Sequence, residues 1–252
     1  MTNIGVFAFA CCSSLANVKI PNSITHINDY LFEGCSNLAN VEIPNSVTSI
    51  GKGAFMDCTS LTNITLPNSV TSIDNAAFRG CRSLTSVVIP NSVVDLGDDI
   101  FGYCFSLTDV TIPNSLSFIN YKTFYACHNL TTVTIGNNVK NIGDYAFDSC
   151  DKIMNIFSLN PEPPYVYPNT FTDTQYKNAN VYVPEGSLTK YQEADGWKEF
   201  VNLKEFTPSG IKNTKTDTNI PDKVYFDIQG HKLLSPKRGI NIINGKKVLI
   251  KK

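Results

Sequence analysis

Residues 54–73 read AFMDCTSLTNITLPNSVTSI, and the spacing of their apolar side chains decides the fold. Leu61, Ile64 and Leu66 follow L-x-x-L-x-L, so Ile64 and Leu66 share one face of a short strand while Thr65 points the other way. Pro67 cannot continue a paired strand and Asn68-Ser69 favours a turn, so the chain bends before a second apolar run, Val70 to Ile73. One unit therefore holds two brief strands and two corners. Its opening, Ala54 to Cys58, has room for a single helical or 3₁₀ turn, too short to be a stable helix alone.

The same pattern returns every 23 residues in both directions. Phenylalanines stand at Phe9, Phe32, Phe55, Phe78, Phe101, Phe124 and Phe147, and cysteines at Cys12, Cys35, Cys58, Cys81, Cys104, Cys127 and Cys150. A third column runs from Leu15 through Leu38, Leu61, Leu84, Leu107 and Leu130 to Ile153. A fourth holds Pro21, Pro44, Pro67, Pro90 and Pro113, with Gly136 in the next place. Fixed-period identity of this kind marks a solenoid, in which one unit cannot bury its apolar edge and the next copy covers it. Stacking pairs the strands in parallel and makes each column a buried ladder. With strands ~4.8 Å apart, the coils from Cys12 to Cys150 span on the order of 30 Å.

Regular cysteines invite two other readings, disulfides and a metal site. Equivalent residues of adjacent coils point the same way, whereas a disulfide needs converging vectors with Cβ atoms about 3.5–4.5 Å apart. Zinc needs four ligands meeting at a point, and the adjacent Cys11-Cys12 is the one close pair. The spacing predicts a column of reduced, buried thiols acting as small hydrophobes, with Cys11 left over at the N-terminal edge.

Composition bounds the class. At 252 residues and 42% hydrophobic, the chain can build a substantial core, and its net charge is -1. That balance is uneven: residues 1–206 carry 11 Lys+Arg against 19 Asp+Glu, or -8, and residues 207–252 carry 10 against 3, or +7. No stretch reaches the ~18 apolar residues of a membrane span, and the N-terminus lacks the pattern of a signal peptide. Because MTNIGVFAFACCSSL begins partway through a repeat without a polar cap, an upstream region is expected.

The unit F-x-x-C-x-x-L-x-x-[VI]-x-[IL]-P-x-S-[VI]-x-x-I, followed by an A-F that opens the next, closely resembles the BspA-type leucine-rich repeat from Ile4 to about Phe157. The resemblance implies a β-rich leucine-rich-repeat solenoid with parallel short strands. It also implies a surface-exposed or secreted protein, since the family comes mostly from anaerobic bacteria of gut and mouth and includes adhesins for host proteins or other microbes. It carries over no catalytic residue and no cofactor.

The expected divisions are residues 1–157, a solenoid of about seven repeats with the first partial; 158–206, a small α+β C-terminal cap; 207–222, a linker; and 223–252, a short β-module. The Pro-rich SLNPEPPYVYPNTF is read as unable to continue the repeat. After it come a strand, a Ser-capped helix ending near Gly196, and a final strand, with Trp197 and Phe200 covering the last coil's open core. The last segment alternates as strands around an Asn244-Gly245 hairpin turn. It resembles, more loosely, the C-terminal β-module of many secreted or surface proteins of Bacteroides relatives, which implies sorting or attachment.

Catalysis requires convergent titratable groups, and few candidates exist. His26, His128 and His231 fall at unrelated repeat phases, and Asp98-Asp99 shares its column with Lys52 and Asn75, as a solvated corner does. Nucleotide, EF-hand and hydrolase motifs are absent, so the sequence reads as non-enzymatic. A net acidic solenoid argues against nucleic acid. Lys237-Arg238, Lys246-Lys247 and Lys251-Lys252 make a basic tail suited to an anionic surface or glycan, or simply to solvent.

Recognition then falls to the outward positions. On the first strand these are small and mostly polar, such as Asn63 with Thr65 and Asp109 with Thr111. They suit broad contact with a protein or glycan. Departures from the repeat are more informative, because the fold does not demand them: Phe105 replaces Ser36, Thr59 or Arg82; Phe118 replaces Ser49, Ser72 or Asp95; Tyr121 replaces Lys52 or Asn75. The candidate ligand-binding patch is Phe105, Phe118, Tyr121 and Tyr125, with Val88 and Val94 nearby. The competing reading has these rings filling local gaps on different faces of a structural spacer without a ligand.

Overall fold

The computed structural model describes residues 3–206 and, as backbone strands, 225–227, 232–233, 239–243 and 246–250. Successive coils stack so that each strand of the unit lines up with its copies in parallel, giving two sheet faces. On the first, Asn63–Thr65 pairs with Ser86–Val88, and the sheet continues through Asp109–Thr111, Thr132–Ile135, Asn155–Ser158 and Asn180–Pro184 to Asn202–Phe206. Ahead of it, Asn17–Lys19 pairs with Asn40–Glu42 in the same register. On the second, His26–Ile27, Ser49–Ile50, Ser72–Ile73 and Asp95–Leu96 form one run, and Phe118–Ile119, Asn141–Ile142 and Tyr165–Val166 another. Partners differ by 23 residues within the repeats, as Asn63↔Ser86 and Ser49↔Ser72 show. The repeat period is therefore also the hydrogen-bond register.

The interior is the expected set of ladders. Rings from Phe9 to Phe147 stack with centroids 5.4–5.6 Å apart, nearly parallel. From Phe32 onward they are fully buried. The cysteines are free, and six of them, Cys35 to Cys150, are buried. They do more than fill space: Cys58 Sγ donates to the Phe32 carbonyl of the preceding coil at 3.1 Å, and Cys81, Cys104, Cys127 and Cys150 repeat the bond. A thiol can reach this carbonyl as a weak donor while still packing as a small hydrophobe.

Burial pushes the thiols of Cys58, Cys81, Cys104 and Cys127 above their ordinary range. Folding thus favours the protonated form. Stability is retained below the unfolded thiol's pKa and falls as pH rises through it, so melting temperature should drop between about pH 8 and 10. A native thiol titration should find the exposed Cys11 and Cys12 reacting at once and the other six only on unfolding. Early reaction of the buried six would contradict the ladder.

The corner at Ala54–Cys58 is not a helical or 3₁₀ turn. It is a run of tight turns with left-handed residues two positions before and two after each phenylalanine, as at Gly53 (φ 56) and Asp57 (φ 56). Tyr30, Phe32 and Gly34 donate N–H bonds to Lys52, Ala54 and Met56 of the next coil. The corner thus spends its donors between coils, and a helix would turn them inward.

The Pro-rich stretch also corrects the sequence reading, because the solenoid continues through it. Tyr165–Val166 pairs with Asn141–Ile142, and Phe171 stacks on Phe147 at 5.5 Å. Pro161, Pro163 and Pro164 fall in the corner between the two sheets and Pro168 follows the second strand, places where no ladder N–H is required. Beyond it a helix absent from the sequence reading, Asp173–Asn178, starts at a capping box of Thr172 and Gln175. The Gln175 Nε2 donates to the Phe147 carbonyl at 2.8 Å, replacing the thiol that the next repeat would have supplied.

The following helix, Leu188–Glu193, is not Ser-capped. Ser187 makes no side-chain cap bond, and Glu205 Oε1 accepts from Gly186 and Leu188 N–H instead. Trp197 and Phe200 do close the core: both are buried against Phe171, and Trp197 Nε1 donates to Pro164 O at 2.7 Å. The strands Tyr225–Asp227, Lys232–Leu233, Gly239–Ile243 and Lys246–Ile250 form an antiparallel sheet. The 207–222 linker, the Asn244-Gly245 turn, Lys237-Arg238 and Lys251-Lys252 lie outside the described residues, as do the side chains of Lys246-Lys247.

Candidate recognition surface

The first sheet presents a polar grid. Asn40 Nδ2 donates to Asn17 Oδ1 at 3.3 Å, and a shallow trough of about 920 Å³ opens between Lys19, Asn40, Glu42 and Thr65. Val88 interrupts this grid beside Thr65, 57% exposed. Val94, 68% exposed, directly precedes the strand Asp95–Leu96 of the other sheet, and Thr48 and Thr71 in its column donate hydroxyl bonds to the preceding coil. Val88 thus stands on a different face from Val94 and Phe118.

At the corner after each phenylalanine, Phe105 lies between two coils' polar groups. His128 stacks on it at 4.9 Å and the Arg82 guanidinium sits 5.5 Å from its centre. Tyr103 joins Phe105 to Tyr125, at 6.2 and 5.3 Å, and Arg79 covers Tyr103 at 4.7 Å. At the preceding corner, Lys122 Nζ stands over Tyr121, Tyr125 and Tyr145 at 5.1, 4.9 and 5.7 Å. Phe105 and Tyr125 thus join through Tyr103, whereas Tyr121 packs on Tyr145 at 5.9 Å and meets Tyr125 only through Lys122. Each of the three already faces a cation of this protein.

Phe118 differs. It faces Tyr167 at 6.4 Å, Tyr167 packs on Tyr165 at 5.1 Å, and among the described residues no cation stands over any of the three. With Tyr121, Phe118 and Tyr167 line a groove of about 450 Å³ whose polar edge is Asp98, Asn120 and Asp144. Gly143 forms its floor, because a Cβ there would meet the backbone of Asn120 and Tyr121 at 2.9 Å. Sequence reasoning missed Tyr165 and Tyr167, since they lie in the Pro-rich stretch read as leaving the repeat. It also passed over Tyr103, although a tyrosine in a column that holds Gly34 and Gly80 is a departure of the same kind as Phe105.

Asp98 and Asp99 do not act as a pair. Asp98 is exposed at the groove, whereas Asp99 turns away, accepting from Arg79 Nε at 2.8 Å with its Oδ1 buried and unpartnered among the described residues. Burial raises the Asp99 pKa despite Arg79 opposing it. The charged form therefore destabilises the fold above that pKa, and the penalty fades as pH falls towards the unfolded carboxylate range. Asp99→Asn should stabilise the fold at pH 7 and give no gain near pH 3. Denaturant melts at both pH values check this, and a loss at pH 7 would refute it.

Among the described residues, no helix is long and apolar enough to cross a membrane, and no group of His, Cys, Asp and Glu stands together to hold a metal.

A leucine-rich-repeat protein of T. pallidum is 34% identical over 60% of this chain and 70% of its own, with a TM-score of 0.56. One from Bacteroides ovatus is 27% identical over 79% of this chain and 56% of its own, also at 0.56. A leucine-rich-repeat protein from Eubacterium ventriosum, 17% identical over 82% of this chain and 62% of its own at 0.50, shares the fold. No curated protein matches. The model of the BspA type leucine-rich repeat region matches residues 1–108 and 95–220 in six copies. A match of that extent, on the period that the stacked coils display, makes this chain a member of the BspA-type leucine-rich-repeat family.

Proposed function

We propose that the chain is a non-enzymatic recognition scaffold at a bacterial cell surface or in the secreted fraction, binding an extracellular protein or glycan through the aromatic corner of its second sheet. The observation that carries this reading is the placement of Phe118, Tyr121, Tyr165 and Tyr167 at outward positions, where packing leaves the residue type free. Family membership supports the interaction role and the surface location.

The spacer alternative has one observation in its favour: Phe105, Tyr121 and Tyr125 are partnered within the chain by Arg82 and Lys122. The two separate in a surface-plasmon screen of the native chain against host matrix proteins and against host and bacterial glycans. Recognition requires a saturable response that falls about tenfold or more in a Phe118→Ser/Tyr121→Ser variant whose melting temperature is kept within a few degrees. Silence across the panel, or binding indifferent to the variant, favours the spacer.

A further inference from the structure

Over its last three coils the second sheet carries rings and a hydrogen-bonding group in alternation along the solenoid axis. In its register Phe118 stands beside Asn141, and Asn141 beside Tyr165. A ring, an amide and a ring thus occupy successive coils, the two rings lying two strand spacings apart, roughly 10 Å. Tyr167 fills the interval between them, 6.4 Å from Phe118 and 5.1 Å from Tyr165. The strip is open: Tyr165 is 56% and Tyr167 39% exposed.

Along its edge runs a second column, in which Asp98, Tyr121 and Asp144 take equivalent places on three successive coils. Asp144 is held in place by Asn169, whose N–H donates to its Oδ1 at 3.0 Å. The Asp98 carboxylate makes no hydrogen bond or ion pair among the described residues. Each carboxylate has acceptor capacity to spare, and a carboxylate accepts without donating.

We propose that this strip binds an uncharged polysaccharide, with linked pyranose units lying along the solenoid axis; the proposal rests on the recognition reading above and names its ligand class. Sugar rings present C–H groups on one face and hydroxyls around the rim. The C–H face meets the electron-rich faces of Phe118, Tyr167 and Tyr165. The rim hydroxyls donate to Asp98 and Asp144 and exchange bonds with Asn120 and Asn141. A spacing of roughly 10 Å between the outer rings corresponds to two linked sugar units, so a regular polymer meets a regular sheet. The two carboxylates outnumber Lys140, exposed beside Asn141, and disfavour acidic glycans, while Lys122 is engaged over three tyrosines.

Native affinity electrophoresis of the full chain tests this, with hydroxyethyl cellulose, xyloglucan, galactomannan or xylan cast in the gel and polygalacturonate as the acidic counterpart. At least one neutral polymer should retard the protein and polygalacturonate should not. Tyr165→Ala, at an exposed position that leaves folding intact, and Phe118→Ala should each weaken the retardation about tenfold or more, while Val201→Ser, exposed on the cap, leaves it unchanged. A thermal melt of each variant confirms that it is folded. The proposal is overturned by free migration through all neutral polymers, by retardation indifferent to Tyr165→Ala, or by equal retardation on polygalacturonate. If matrix proteins still bind saturably in those cases, the recognition reading survives without the sugar; silence in both experiments removes both.

Discussion

Phe78→Ala should destabilise the chain by about 3–5 kcal/mol, the range for deleting a large aromatic side chain from a packed core. Phe78 is fully buried between Phe55 and Phe101, with centroids at 5.4 and 5.5 Å. Its loss opens a cavity at two inter-coil interfaces at once, and the surrounding coils cannot collapse because their backbones are fixed by the 23-residue register. In a solenoid each unit touches only its neighbours, so a break here should also loosen the coupling between the two halves. Calorimetry should show a melting temperature about 10 °C lower and a broadened or divided transition. The outward Phe105→Ser should change stability by under about 1 kcal/mol. Equal effects of the two variants would mean that inward and outward positions are not energetically distinct.

Trp197→Ala should have an effect of similar size, about 3–5 kcal/mol, but localised. The indole is fully buried, packs on Tyr191 at 5.0 Å and on Phe171 at 6.0 Å, and donates to the Pro164 carbonyl. Without it, the end of the phenylalanine row meets water and that carbonyl loses its donor. Hydrogen exchange should show protection lost first over the strands Asn155–Ser158 and Asn180–Pro184, while Asn63–Thr65 and Ser86–Val88 keep theirs. Uniform loss along the chain would argue against a cap.

The parts of the structure legible in the sequence are those fixed by repetition. Phe55, Cys58, Leu61 and Ile64 recur at one period, and a period in a solenoid is a statement about register, so ladders and parallel pairing follow directly. What recurred without changing its residue type was readable; what recurred as a backbone state was not. The left-handed corner positions hold Gly53, Ala76, Asp99 and Lys122 in turn, so no single residue type betrays them. The last coil was hidden for a related reason. Phe171 follows Phe147 by 24 residues, and Gln175 takes over a cysteine's hydrogen bond with a different side chain, so the column changed its spelling while keeping its place.

The candidate site was legible in part. Phe118 and Tyr121 stood out as departures from a column and share one groove. Tyr165 and Tyr167 did not, because their column could be aligned only once Tyr165–Val166 was seen to pair with Asn141–Ile142. Nor does sequence reveal that Lys122 reaches three rings from two coils, a contact set by a left-handed backbone turn.

All of this depends on coils stacked in one register, with a sealed inner row and a freely varied outer one. Crystallography at a resolution that shows side chains is the most direct measurement. Electron density should reveal the rings of Phe32 to Phe147 as one unbroken interior column spaced by about a strand separation, with Phe118, Tyr165 and Tyr167 on the outside. A break in that column, or a register that turns Phe118 inward, would contradict the account.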